Sequence, residues 1–77
     1  MGYIVTHGSI CGKQMKQYHF DKYIDACLFL VNDANETYHC ESVDGECFLR
    51  FKKHNTYAVV YNQARNAAWF WEVEKVE

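Results

Sequence analysis

Glu46-Cys47-Phe48-Leu49-Arg50-Phe51-Lys52-Lys53 decides the fold, because its side chains change character at nearly every step. In an extended chain successive side chains leave opposite faces of a sheet, so Cys47, Leu49 and Phe51 share one side. Phe48, Arg50 and Lys52 take the other. Two runs downstream, Tyr57 to Asn62 and Ala68 to Val76, are also rich in β-branched and aromatic residues. In the last of them Trp69, Trp71 and Val73 oppose Phe70, Glu72 and Glu74. The separators, His54-Asn55-Thr56 and Gln63 to Ala67, have the lengths of antiparallel hairpin loops. The C-terminal half therefore reads as a three-strand meander.

Working back from this ribbon, Asp44-Gly45 is a turn signal, and before it the period of the apolar residues changes. Phe20, Tyr23, Ile24, Cys27, Leu28, Val31 and Ala34 recur at steps of three and four, the spacing of one helix side. Asp21 is the expected N-cap, and Asp25 places negative charge near the positive end of the helix dipole. The helix is expected to stop in Asn32-Asp33-Ala34-Asn35, where side chains that bond their own backbone accumulate. Tyr3 to Ile10 reads as the first strand, with Gly8, Ser9 and Gly12 marking a turn after it. Gln14 to Phe20 reads equally as the second arm of a hairpin or as an irregular approach to the helix.

The apolar sets of the ribbon and the helix stripe are exposed unless they meet. One helix on one face of an antiparallel sheet satisfies both. The expected class is α+β, with a sheet of three to four strands in the order β-α-β-β-β and an optional extra arm at the N-terminus. The opposite face then carries Phe48, Arg50, Lys52, Phe70, Glu72 and Glu74, joined by either Tyr57, Val59 and Tyr61 or Ala58, Val60 and Asn62.

Size and composition agree with one domain over residues 1 to 77. The 77 residues hold 49% hydrophobic, 17% aromatic and 23% charged side chains, far from the polar composition of disorder. A net charge of −2 excludes a protein held to nucleic acid or anionic lipid by bulk electrostatics. No stretch approaches the about 20 apolar residues of a membrane span. Met1 to His7 lacks the basic-then-apolar layout of a signal peptide, so a cytoplasmic, reduced chain is expected. Met1-Gly2 with Thr6 fits the N-myristoylation pattern in form, and an early first strand explains the same residues.

In that compartment the cysteines read as thiols. Cys27 and Cys47 fall at apolar positions and read as small buried hydrophobes, while Cys11 and Cys40 fall in expected turns. His7, Cys11, His39, Cys40, Cys47 and His54 are metal-ligating types, but no C-x-x-C pair exists and the spacings are irregular, so no cofactor or metal is expected. Catalytic signals are weaker still. Ser9 and Ser42 lack a G-x-S-x-G context, and His39 beside Cys40 is not a dyad, since catalytic pairs are neighbours in space. Arg50, His54, Tyr61 and Arg65 are the residue types of a small sheet-based ribonuclease, and that reading ranks last.

Charge is segregated along the chain. Residues 1 to 22 carry +2, 23 to 49 carry −6, 50 to 71 carry +4 and 72 to 77 carry −2. Asp33, Glu36, Glu41, Asp44 and Glu46 form the expected acidic surface, which is either a solvated edge or a mimic of phosphate facing a basic partner. Arg50, Lys52, Lys53, His54 and Arg65 are interleaved with Phe48, Phe51, Tyr57 and Tyr61. Aromatic groups beside cations on a sheet suit single-stranded nucleic acid, although Glu72 and Glu74 are placed to neutralise Arg50 and Lys52 across the strands. Together with Phe70, Phe48, Arg50, Lys52, Lys53, His54, Tyr61 and Arg65 are the candidate partner-binding residues.

The order of strand, helix and three-strand meander, on Tyr3 to Thr6, Asp21 to Val31, Glu46 to Phe51, Tyr57 to Asn62 and Ala68 to Val76, resembles that of compact phage-encoded inhibitors, anti-CRISPR proteins among them. The likeness is one of topology, with no shared motif. It implies a non-enzymatic protein that occupies a nucleic-acid or partner site on a host defence complex. The expected partner is accordingly a protein or nucleoprotein, with single-stranded nucleic acid as the alternative and a homodimer through the open sheet face as a third use of the same surface.

Overall fold

A computed structural model describes residues 2–10 and 15–76. The chain runs β1 (Gly2–Ser9), β2 (Met15–Phe20), α1 (Tyr23–Glu41), a short 3-10 turn (Ser42–Asp44), β3 (Cys47–Lys52), β4 (Tyr57–Asn62) and β5 (Ala67–Val76). The strands form a five-stranded sheet in the order β2-β1-β5-β4-β3, antiparallel throughout. The α+β class and the helix-on-sheet layering hold, and the strand count rises from three or four to five. Met15–Phe20 is the added strand, placing Lys16, Tyr18 and Phe20 on the helix side opposite His7, Val5 and Tyr3. Two apolar residues in alternation were too few to reveal it, and Phe29 supplies what the local sequence lacks, its ring 4.6 Å from Tyr18 and 5.3 Å from Phe20.

The two-residue phasing of the ribbon is as expected. Cys47, Leu49 and Phe51 pair with Asn62, Val60 and Ala58, which pair in turn with Ala67, Trp69 and Trp71. All lie on the helix side, so the middle strand turns Ala58, Val60 and Asn62 inward. The buried core is Val5, Ala26, Leu30, Ala34, Ala58, Val60 and Trp71. Gly8 belongs to β1 rather than to a turn, opposite Phe70, and Gly12 lies outside the described residues.

The helix departs from expectation in three ways. Its N-cap is Lys22, with extended backbone and no side-chain cap, and Asp21 stands outside it. It also continues to Glu41 instead of ending at residues 32–35, because three of the four residues there are engaged in ways that suit a helix. The Asn35 amide donates to the Val31 carbonyl at 2.9 Å, Asp33 accepts from Trp71, and Ala34 is buried. Tertiary packing thus overrides local propensity.

The third departure is rotational. The sheet receives Ala26, Leu30 and Ala34, one turn apart on successive turns, whereas Tyr23, Ile24 and Leu28 of the expected stripe are exposed. Trp69 and Trp71 fill the space beneath the helix, and small alanines above them let the two layers close.

Two contacts, one polar and one aromatic, fix the ends of this packing. Asn62, fully buried in β4, donates to the Glu41 carbonyl at 2.9 Å and to its carboxylate at 3.2 Å, and accepts from the Arg65 amide at 3.2 Å. At the other end, Tyr23 sets its ring edge-on to Tyr3 at 5.4 Å. The helix therefore crosses the sheet on a diagonal, from the Tyr3 end of β1 to the Asn62 end of β4.

Candidate functional site

A diagonal helix leaves part of the sheet's inner side bare, and the outer side is bare altogether. On the outer side, three rows of side chains run across the strands from β3. Phe48 faces Tyr61 and Ala68; Arg50 faces Val59, Phe70 and Gly8; Lys52 faces Tyr57, Glu72 and Thr6. Phe48, Arg50, Val59, Tyr61 and Gln63 line a shallow groove of about 270 Å³, and Phe48 is 46% exposed. Tyr61 is steadied by its hydroxyl, which donates to Asn66 Oδ1 at 3.3 Å.

The expected ion-pair lattice across this face does not form. Lys52 and Glu72 share a row but Tyr57 stands between them, which puts them about 10 Å apart in strand spacings. Glu72 instead lies beside Glu74. Burial, then a hydrogen bond that the protonated Glu72 carboxyl donates to Glu74, and that neighbour's negative charge, raise Glu72 above its ordinary value, against a downward pull from Lys53. Arg50 and Lys52 are left exposed and cationic among aromatic groups.

The β3–β4 turn carries the next two candidates. Lys53, His54 and Asn55 have φ of 53°, 56° and 65°, three consecutive residues in the left-handed region without a glycine. Left-handed backbone costs an ordinary residue about 1–2 kcal/mol. The turn is closed by Thr56, whose amide and hydroxyl both donate to the Lys53 carbonyl, at 3.1 and 2.7 Å. Lys53 Nζ sits 5.8 Å from the centre of the Tyr57 ring, a cation–π distance that ties the tip to the outer face.

On its other side the tip meets the helix. His54 and Asn55, with Tyr23, Ile24, Cys27, Leu28 and Val31, line an apolar groove of about 420 Å³. Ile24 is 63% exposed and Leu28 53%. A hydrogen bond with Cys27 raises the Tyr23 hydroxyl above its ordinary value. Sequence reasoning placed this stripe in the core. The signal that separates it is the second apolar line, Ala26-Leu30-Ala34, whose small residues fit beneath a helix lying on tryptophans.

The remaining candidates lie elsewhere. Arg65 pairs with Glu41 at 3.3 Å and serves the helix end, so it stands apart from Arg50 and Tyr61, and His54 faces the helix groove. The acidic set is likewise divided. Asp33 accepts from Trp71, Glu41 is bound by Asn62 and Arg65, Glu36 and Glu46 are exposed, and the Asp44 side chain lies outside the described part.

Cys27, Cys40 and Cys47 are free thiols; Cys40 is an exposed helix residue, and Cys11 lies outside the described residues. Burial, then the charge of Glu41, raise the Cys47 thiol. Among the described residues no three histidine, cysteine or carboxylate side chains gather in a metal-ligating cluster, and no helix is long and apolar enough to cross a membrane. Compared with known proteins, the chain matches no family model, no curated protein and no solved structure.

Proposed function

We propose that the chain is a non-enzymatic binding module that grips a protein or nucleoprotein partner with its β3–β4 hairpin. One observation carries the reading: exposed apolar side chains flank this edge hairpin on both sides, its own Phe48 on one and Ile24 and Leu28 of α1 on the other. Phe48 stands beside Arg50 and Tyr61 on the outer face, while Ile24 and Leu28 flank His54 on the helix side. β3 is an edge strand, so one row of its backbone groups is open to a partner as well. Large apolar and arginine side chains dominate interface energies, and contiguous exposed apolar surface marks interaction sites.

The chemistry of the partner follows from the cations. Among the described residues Arg50, Lys52 and Lys53 of this hairpin make no ion pair, which favours an acidic surface. The strained tip agrees with this use, since unusual backbone collects at functional sites. Inhibition by occupancy, the mode implied by the likeness to phage inhibitors, needs nothing beyond such a surface.

Capture from a bacterial lysate by wild type, Phe48→Ala and Ile24→Ser, read by mass spectrometry, tests the proposal. A partner retained by wild type and lost by both variants, with each thermal midpoint nearly unchanged, supports it. Retention by both variants overturns it. The Lys53–Tyr57 contact favours single-stranded nucleic acid as a second reading. Affinity for mixed oligonucleotides that falls steeply with salt supports that reading, and no mobility shift in low salt removes it.

A further inference from the structure

Among the described residues, the corner of the sheet diagonally opposite the helix groove is not covered by the helix, and its side chains are of a different kind. His7, Gly8, Ser9, Lys16 and Trp69 line a cleft of about 180 Å³ there. His7, Ser9, Lys16 and Trp69 all point to the helix side, since His7 pairs with Lys16 and with Trp71, and Ser9 pairs with Trp69.

His7 is held in place from two directions. Its ring stacks on Trp71, with centres 4.3 Å apart and planes inclined by 13°, and Trp71 is itself fixed by its bond to Asp33 at 2.8 Å. Its Nδ1 lies 3.0 Å from the carbonyl of Phe70. A carbonyl only accepts, so Nδ1 carries the hydrogen, and the tautomer this contact selects presents its lone pair at Nε2. Among the described residues Nε2 has no partner. Lys16 stands across the strand pair with three donors and a positive charge.

We infer that this cleft binds the phosphate group of a small phosphomonoester. A phosphomonoester near neutrality exists partly as the monoanion, its second ionisation lying near pH 6. The P–O–H of that form donates to His7 Nε2, and its anionic oxygens accept from Lys16 Nζ. Both needs of the site are met without charging the imidazole. The face of Trp69 forms an apolar wall for the organic substituent. A volume of about six waters admits a phosphate and a short substituent, which keeps the ligand small. The site lies on the opposite side of the sheet from the Phe48 groove and serves neither surface of the hairpin.

The test uses inorganic phosphate and then phenyl phosphate, titrated at constant ionic strength while the two indole N–H signals and the His7 ring are followed by NMR. Trp69 and His7 are expected to shift and saturate in the millimolar range, with the Trp69 indole moving more than that of Trp71, which Asp33 engages. Phenyl phosphate is expected to bind more tightly than inorganic phosphate. Lys16→Ala, a change at an exposed position, is expected to weaken binding about tenfold, and Lys75→Ala, exposed at the far end of β5, to leave it unchanged. Shifts that do not saturate, or equal losses in the two lysine variants, overturn the assignment. Neither result bears on partner capture by the hairpin, which is read separately through Phe48 and Ile24.

Discussion

The indole nitrogen of Trp71 donates a 2.8 Å hydrogen bond to Oδ2 of Asp33, joining the C-terminal strand to the middle of the helix. This contact explains why the helix passes through residues whose local preference is to end it, and why a fully buried tryptophan leaves no polar atom unpaired. Removing the acceptor strands the donor. Asp33→Ala is expected to destabilise the fold by about 1–3 kcal/mol in urea unfolding, with Asp33→Asn, which keeps an oxygen in place, costing less. Equal stability of Asp33→Ala and wild type would contradict this role.

Glu72 works against the fold at neutral pH. Its carboxyl is raised in the folded state, by burial first and then by Glu74, above the about 4.3 of an unfolded glutamate. The stabilisation belonging to the protonated form is therefore complete below that unfolded value and is lost as pH rises through the raised native value. Glu72→Gln is expected to raise the thermal midpoint at neutral pH and to lose the advantage in acid. A midpoint difference independent of pH would refute the account.

The hairpin tip stores backbone strain that glycine relieves. His54→Gly is expected to gain up to about 1 kcal/mol of stability, the left-handed cost less the entropy of an added glycine. If the tip belongs to the binding surface, the same change weakens partner capture. A variant that is more stable and binds as well as wild type would separate the strain from function.

The thiols differ in environment, which labelling can read. Cys40 is exposed, whereas Cys47 is half-buried with its thiol raised by burial and by Glu41, so less of it is thiolate. Mass spectrometry of peptides after brief alkylation is expected to show Cys40 modified before Cys47. The reverse order would place Cys47 in a more open site than the fold provides.

The ribbon was legible because alternation is a local property, and every row from Cys47 to Val73 took the side that its phase demanded. The helix was legible in existence but not in rotation. It carries two apolar lines, and which one meets the sheet depends on the bulk of Trp69 and Trp71, residues distant in sequence. The same distance left β2 as one of two readings, since its inward Tyr18 and Phe20 are anchored by Phe29 of the helix as well as by β1. Of the candidate surface, Phe48, Arg50, Tyr61 and Phe70 could be read from the pattern. The Ile24–Leu28 half could not, since its exposure results from that rotation.

Photo-crosslinking tests most directly whether the hairpin is the gripping element. A photoreactive residue is placed at position 48 or 24 on the two sides of the hairpin, or at position 17 on the far edge strand, in cells that express the chain. The account predicts one and the same adduct from positions 48 and 24, and none from position 17. An adduct from position 17 with none from either hairpin site would contradict it.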